Sequence, residues 1–252
     1  MIRFKKNLIF LSAALLLMTA LTVSYITEFV PASVSTRRIP IYNVETNERK
    51  VAITFDAAWG NSDLLEILDI LTKYDAKATF FVTGKWIDKY PDDIKLIHNK
   101  GHSVENHSDQ HPHVAQIGSD SLRSDTIACN EKIQNVLGVT SKYYRAPYGE
   151  YNNNMMRIIE DELNMKVIQW DTDSRDWQES ASVDSIVKYV MNDIKGGSIA
   201  LFHVDAKPKC TAPALDIILD KLKSENYEFV LLDDLLIKDN YYIDHAGKQK
   251  RK

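Results

Sequence analysis

From residue 49 onward, apolar runs of strand length alternate with helical periodicities. Residues 50–56 (KVAITFD) form an almost unbroken apolar run that ends on an acid. Leu64, Leu65, Ile67, Leu68, Ile70 and Leu71 then recur at helical spacing, which predicts a helix over 62–74. Residues 76–83 (AKATFFVT) are β-branched and aromatic, as a strand requires. A helix carrying Ile94 and Ile97 should end at Gly101, a residue suited to a carboxyl-terminal cap. Short strands are expected at 103–107, 142–145, 166–171, 198–203 and 228–232. Helices are expected over 119–137, with Ser119 as candidate amino-terminal cap, and over 153–163, 182–194 and 212–224. About seven strands joined by about six crossovers imply a parallel sheet, either an open doubly wound sheet or a closed barrel.

The amino end is different. Arg3, Lys5 and Lys6 precede an uncharged, mostly apolar run over residues 8–26. A basic flank before an apolar helix has the physical form of both an export signal and a membrane span. The run is longer than the roughly 7–15 residues of a signal core and close to the roughly 20 of a spanning helix. No small-x-small cleavage site follows, because Tyr25, Ile26 and Phe29 are bulky, so an uncleaved anchor is favoured over a signal peptide. Residues 1–38 are therefore expected to be a signal or anchor with a short linker, 39–237 the catalytic domain, and 238–252 a frayed basic tail. The positive-inside rule puts the body outside the cytoplasm.

Charge sharpens this division. The chain has 252 residues, 31 of them basic and 35 acidic. Five basic side chains and one acidic fall in 1–38 and four basic in 248–252, leaving 22 against 34 in between. Such an acidic body excludes a nucleic-acid partner, which would need a basic face, and suits a weakly charged glycan. Cys129 and Cys210, the two cysteines, cannot build a multi-disulfide scaffold or a four-thiolate zinc site; they could pair in an oxidising compartment or remain free.

Reactive residues gather at one end of the predicted strands. Asp56, His107, Arg145, Asp171 or Asp173, and His203 each lie at or just after a strand's carboxyl end, where barrels of this kind hold their active sites. His107 and His111 are four apart, a spacing that on one helical turn lets two imidazoles grip one metal ion. Nitrogen and oxygen donors suit Zn²⁺ or a similar divalent ion with an open position that binds and acidifies water. Neighbouring His102 and His113 are expected to be solvated loop histidines. Asp56 could act as a base, and Arg145 could hold a carboxylate ionised and oriented, or form no more than a surface ion pair. Pro147 and Gly149 suggest a fixed turn that exposes a backbone N–H to an oxyanion. His203 could protonate a leaving group if a carboxylate raises its pKa, or be a satisfied core histidine.

Taken in order, these elements resemble the motifs of the polysaccharide deacetylase family, the carbohydrate esterases that share the NodB homology domain. The matching residues are Thr54-Phe55-Asp56, His107-Ser108-x-x-His111, Arg145-x-Pro147-Tyr148, Asp173-x-x-Asp176-Trp177 and Leu201-x-His203. They span about residues 50–235. The resemblance implies an α/β fold, a distorted (β/α) barrel of about seven parallel strands, and metal-dependent hydrolysis of N-acetyl groups on amino sugars. By the same resemblance, His107 and His111 hold a divalent metal, Zn²⁺, with Co²⁺ or another divalent ion as the alternative. Asp56 is the general base and Arg145 its orienting partner. Tyr148 offers its backbone N–H to the oxyanion. His203 is the general acid tuned by Asp173, and Trp59, Pro147, Trp177 and Leu201 border the substrate.

One position departs from the family pattern. The second aspartate of its first motif, normally the third metal ligand, is Ala57 here. Water, or another carboxylate such as Asp63, would have to complete the metal's shell. The F-D-x-x-W-G form resembles the sporulation-associated branch of the family in spore-forming Gram-positive bacteria. Three functions follow: a deacetylase of peptidoglycan outside the membrane, a hydrolase of another non-peptide C–N bond, or a glycan-binding pseudo-enzyme of the spore envelope.

Overall fold

The structure, a computed structural model, describes residues 37–252 together with Met18. The expected anchor over residues 8–26 and the linker up to residue 36 lie outside the described residues, Met18 excepted. Among the described residues no helix is long and apolar enough to cross a membrane.

The central sheet is built from β2 (Lys50–Ala57), β3 (Ala78–Val82), β4 (Ser103–Asn106), β5 (Tyr143–Tyr144), β6 (Lys166–Val167), β7 (Thr172–Asp173) and β8 (Ile199–His203). Their order is β6-β5-β4-β3-β2-β8-β7, with every neighbour parallel. A further strand, β9 (Glu228–Phe229), pairs with the start of β2. Parallel pairing demands crossovers, supplied by α1 (Leu64–Lys73), α2 (Gly84–Lys89), α3 (Pro91–Asn99), α4 (Ser119–Leu137), α5 (Asn153–Arg157), α6 (Val183–Asp193) and α7 (Thr211–Ser224). A short α8 (Leu232–Leu235) follows β9. The helix predicted through Ile94 and Ile97 is α3, which Pro91 starts at its first position, and the separate α2 precedes it. The helix predicted over 153–163 changes after Arg157 into a π turn, Ile158–Glu162.

Strand alternation explains the two sides of the sheet. Phe55, Phe80 and Phe202 share a buried cluster with Leu64, Ile67, Leu68 and Ile218 of the covering helices. Phe55 and Phe80 stack at 4.9 Å between ring centroids. The alternate positions, Thr54 and Asp56 on β2, Phe81 on β3, Leu201 and His203 on β8, belong to the opposite face. Register then does the assembly: Asp56 pairs directly with His203 on the neighbouring strand, and Thr54 with Leu201.

Strands β6 and β7 end the order, and the entering chain spans the interval between them. Ile41 bridges Ile168, its N–H donating to Val167 O at 3.0 Å and its carbonyl accepting from Gln169 N at 2.8 Å. Two residues later β1 (Asn43–Val44) begins, and Val44 N donates to Gly197 O at 2.9 Å. This approach is possible because residue 197 is glycine: a Cβ there would stand 1.9 Å from the Val44 carbonyl oxygen.

The carboxyl end corrects an expectation. Residues 238–252 are no frayed tail but contain β10 (Tyr241–Ile243) and β11 (Lys248–Arg251), and β11 lies between β10 and β1 in a second sheet. Gln249 is fully buried, and its amide exchanges two 2.9 Å hydrogen bonds with the Ile237 backbone. Residues 238–252 thus belong to the same compact unit as the rest of Arg38–Lys252.

Candidate active site

Asp56 ends the apolar part of β2 and meets Arg145, which follows β5. Arg145 is fully buried, so the alternative of a surface ion pair is excluded. Its Nη1 donates to Asp56 Oδ1 at 2.8 Å and to Thr54 Oγ1 at 2.9 Å. Nη2 donates to Gln169 O at 3.2 Å, and the guanidinium lies 4.1 Å from the centroid of the Phe81 ring. Burial pushes the Asp56 carboxyl up, but His107, Arg145 and His203 together outweigh it and hold the group below its usual range.

His107 and His111 come together by a route the spacing did not suggest. They lie in a loop after β4 rather than on a helical turn, and Ser108 and His111 have left-handed backbone, φ 68° and 58°. Buried Asn106 holds this loop: its Oδ1 accepts from Ser108 N at 2.7 Å, and its Nδ2 donates to Thr126 O at 2.9 Å. Asp125 accepts from the N–H groups of Asp109 and Gln110, both at 2.9 Å. The two imidazole centroids end 5.0 Å apart. His107 Nδ1 faces the Arg145 carbonyl at 2.9 Å and so carries the proton, leaving Nε2 as an acceptor 3.5 Å from Asp56 Oδ2. Burial lowers both histidines, His111 to about 4, which keeps them neutral with lone pairs free at pH 7.

His203 ends β8. Its Nδ1 is 2.7 Å from Asp176 Oδ1, and its backbone N–H donates to Asp176 Oδ2 at 2.8 Å. Thr211 Oγ1 donates to the same Oδ2 at 2.8 Å, so this buried carboxylate is held from two elements. Burial would lower the imidazole, but Asp176, then Asp56 and Asp173, reverse that and raise it above its ordinary value. The resemblance had assigned this tuning to Asp173. Asp173 instead accepts from the Trp170 indole N–H at 3.3 Å and from Arg175 N at 2.8 Å, and acts on His203 only from farther off. The Trp59 ring stacks on His203 at 5.3 Å and 21°.

Asp56, His107, His111, Asp173, His203 and Trp59 line a cavity of about 380 Å³ together with Tyr148, Trp177 and Leu201. Trp170, which sequence reasoning missed, completes its wall. Pro147 is buried outside it and opens the single turn Pro147–Gly149, in which Tyr148 has φ 58°. The Tyr148 ring, largely exposed, stacks on His113 at 4.0 Å. His113, a solvated loop residue as expected, also pairs with Glu150 at 2.8 Å. His102 is not solvated: it is buried behind β3, where its Nδ1 accepts from Ala78 N at 3.2 Å and burial lowers its pKa to about 4. Both cysteines are free thiols, Cys129 buried and Cys210 half-buried.

Left-handed residues far from the cavity are aspartate or asparagine: Asp75, Asn164, Asn226 and Asn240. Near it they are Ser108, His111, Tyr148, Arg175 and Asp205. Asparagine and aspartate tolerate this conformation readily; a tyrosine or histidine holds it only where its surroundings enforce it.

Two imidazoles with free lone pairs fit a divalent ion, but the third donor of the family pattern is absent. Ala57 is fully buried in the helix-facing cluster. Asp63 does not replace it, since its carboxylate accepts from Asp205 N at 2.8 Å and does not line the cavity. Among the described residues no group of three or more histidine, cysteine, aspartate or glutamate side chains has metal-holding geometry. The donor set therefore fits a metal with two protein ligands.

Comparison with known proteins reaches the same architecture. The polysaccharide deacetylase profile matches residues 43–168. A peptidoglycan-N-acetylglucosamine deacetylase of Bacillus cereus is 34% identical over 191 residues, covering 75% of this chain and 69% of that protein. The chain belongs to the polysaccharide deacetylase family. Two crystal structures of this family, also called carbohydrate esterase family 4 (CE4), match with TM-score 0.74. The Bc1960 peptidoglycan N-acetylglucosamine deacetylase is 32% identical, over 78% of this chain and 92% of that one. BA3943 of Bacillus anthracis, described as a CE4 family pseudoenzyme, is 31% identical over 84% and 70%. Against some other members the chain spans less than half their length.

Proposed function

We propose that this hydrolase-family chain removes N-acetyl groups from amino sugars of peptidoglycan, outside the cytoplasmic membrane of a Gram-positive, spore-forming bacterium. The observation that carries the reading is the pairing of Asp56 with His203 across one cavity, each held by its own buried partner, Arg145 and Asp176. A depressed carboxyl beside a raised imidazole is the arrangement that general acid–base hydrolysis needs at neutral pH.

In this reading the amide carbonyl enters the cavity with its acetyl group toward Leu201 and Trp177, and the sugar lies toward Trp59. Asp56 takes a proton from the attacking water while Arg145 keeps its carboxylate oriented. The Tyr148 N–H, presented by the left-handed turn after Pro147, donates to the oxyanion of the tetrahedral intermediate. His203 delivers its proton to the departing nitrogen, and Asp176, with a smaller share from Asp173, holds it protonated until then. His107 and His111 would hold the divalent ion, Zn²⁺ or Co²⁺, which supplies Lewis acidity toward the carbonyl. Residues 1–38 would tether the domain to the membrane, and the relation to Bacillus relatives accords with a role in spore walls.

The test is acetate release from muropeptides and chitooligosaccharides, with and without Zn²⁺ or Co²⁺. Release abolished by Asp56→Ala and by His107→Ala is expected, each a loss of about 10²–10⁴-fold or more. Ala57 and the likeness to BA3943 favour a second reading, a glycan-binding pseudo-enzyme. Intact glycan binding with no acetate under any metal condition would establish that reading and sink the first.

A further inference from the structure

Asp176 restrains His203 at one edge of its ring, through the 2.7 Å contact at Nδ1. A hydrogen bond of that kind lies along the ring plane and leaves both faces uncovered. Trp59 covers one of them, with the ring centroids 5.3 Å apart and the planes 21° from parallel, an offset stack. The imidazole is 14% exposed and Trp59 49%, so the indole gives part of its surface to the histidine and keeps the rest in water.

Strand register puts the two rings together. Asp56 and His203 are paired across β2 and β8, and Val204 N donates to Asp56 O at 3.0 Å, so the chain leaves both strands side by side. Beyond Trp59 the backbone is pinned at once. The Trp86 indole N–H donates to Gly60 O at 2.8 Å, Asn61 donates to Asp93 at 2.6 Å, and Asp205 N donates to Asp63 at 2.8 Å. Residue 60 must be glycine for this closeness, since a Cβ there would stand 2.0 Å from the Asp205 carboxylate. The half-exposed indole is thus carried on a fixed backbone.

An indole face is the negative side of the ring quadrupole and attracts a cation placed over it. His203 is biased toward that cation. Against the pull of burial act Asp176 from the loop after β7, Asp56 from β2 and Asp173 from β7. The other titratable groups near it, His107 and His111 from the loop after β4, are neutral. The imidazolium therefore gains more from the stack than the neutral ring does.

We propose that Trp59, beyond bordering the substrate, is a positioning residue for the proton donor: stacked on His203, it holds the imidazole plane so that Nε2 points at the departing nitrogen. The inference rests on the deacetylase reading above. It concerns the step in which the C–N bond breaks and the Nε2 proton passes to the nitrogen, leaving an amine and a neutral imidazole.

Two measurements on the full chain test it. In NMR spectra of isotope-labelled histidine, recorded without substrate, the His203 Cε1–H signal is assigned by its loss in His203→Gln. The indole ring current should hold this signal upfield, and Trp59→Leu should move it downfield, with Trp59→Phe in between. A signal that stays in place would overturn the stack. In kinetics, Trp59→Leu should lose about two- to thirtyfold more kcat on chitooligosaccharide than on 4-nitrophenyl acetate, whose leaving group departs without a proton. Trp59→Phe should recover part of that difference. Equal losses on the two substrates would mark a merely structural role and overturn the proposal, while acetate release by the wild type keeps the deacetylase reading. A wild type that releases no acetate ends that reading and the positioning role with it.

Discussion

On one side of the cavity every proton-handling group has a fixed partner: Arg145 on Asp56, Asp176 on His203, and Thr211 behind Asp176. On the other side His107 and His111 stand together, while Ala57, the position of the family's third donor, is a buried methyl in the helix-facing cluster. The two halves are equally well built in their backbone, through strand register on one side and the Asn106-braced loop on the other. They differ in what one side chain removes. Deleting a metal donor leaves no buried charge and no broken hydrogen bond, so the fold does not register its loss. Deleting Arg145 or Asp176 would strand a partner in the interior.

That difference sets the size of the effects expected. Arg145→Met should be the largest, destabilising the fold by about 3–5 kcal/mol because Asp56 is left buried and unpaired; thermal or denaturant unfolding reads it, and a loss under 1 kcal/mol would mean the pair is not buried as described. Ala57→Asp should reduce the stability of the metal-free protein by about 1–3 kcal/mol, since a carboxylate enters an apolar cluster. Added Zn²⁺ or Co²⁺ should restore more stability to this variant than to the wild type, read as a metal-dependent rise in melting temperature. A rise equal in both proteins would show that position 57 cannot reach the ion. Asp176→Asn should have a smaller effect than either. His203 is protonated, hence able to act as acid, up to a pH set by its raised pKa, and removing the Asp176 charge lets burial lower it. The alkaline limb of acetate release should then move to lower pH. Asp173→Asn should move it less, and the reverse order would return the tuning role to Asp173.

Much of this was legible in the sequence because parallel strands align their carboxyl ends. Five polar residues at the ends of separate apolar runs must then share a rim, whatever the intervening helices do. The pairing of Asp56 with His203 needed the strand order, which hydrophobic pattern does not encode. Asp173 ends β7 and Asp176 follows three residues later, and the turn through Arg175, at φ 56°, lies between the two. The helical expectation for His107 and His111 failed because tertiary hydrogen bonds from Asn106 and Asp125 hold left-handed conformations that local propensity disfavours. The carboxyl-terminal strand was hidden by its charge: Lys248, Lys250 and Arg251 pair through backbone groups, and the one buried side chain between them is an amide.

The entering strap bears on Asp56 in a mechanical sense. Ile41 O accepts from Gln169 N, Gln169 O accepts from Arg145, and Arg145 donates to Asp56. The bridge at Ile41 is thus in series with Asp56, three hydrogen bonds away. A load applied to the domain through its leading end meets the clamp of Arg38 on Glu160 and Asp161 first, and behind it the residues that keep Asp56 aimed.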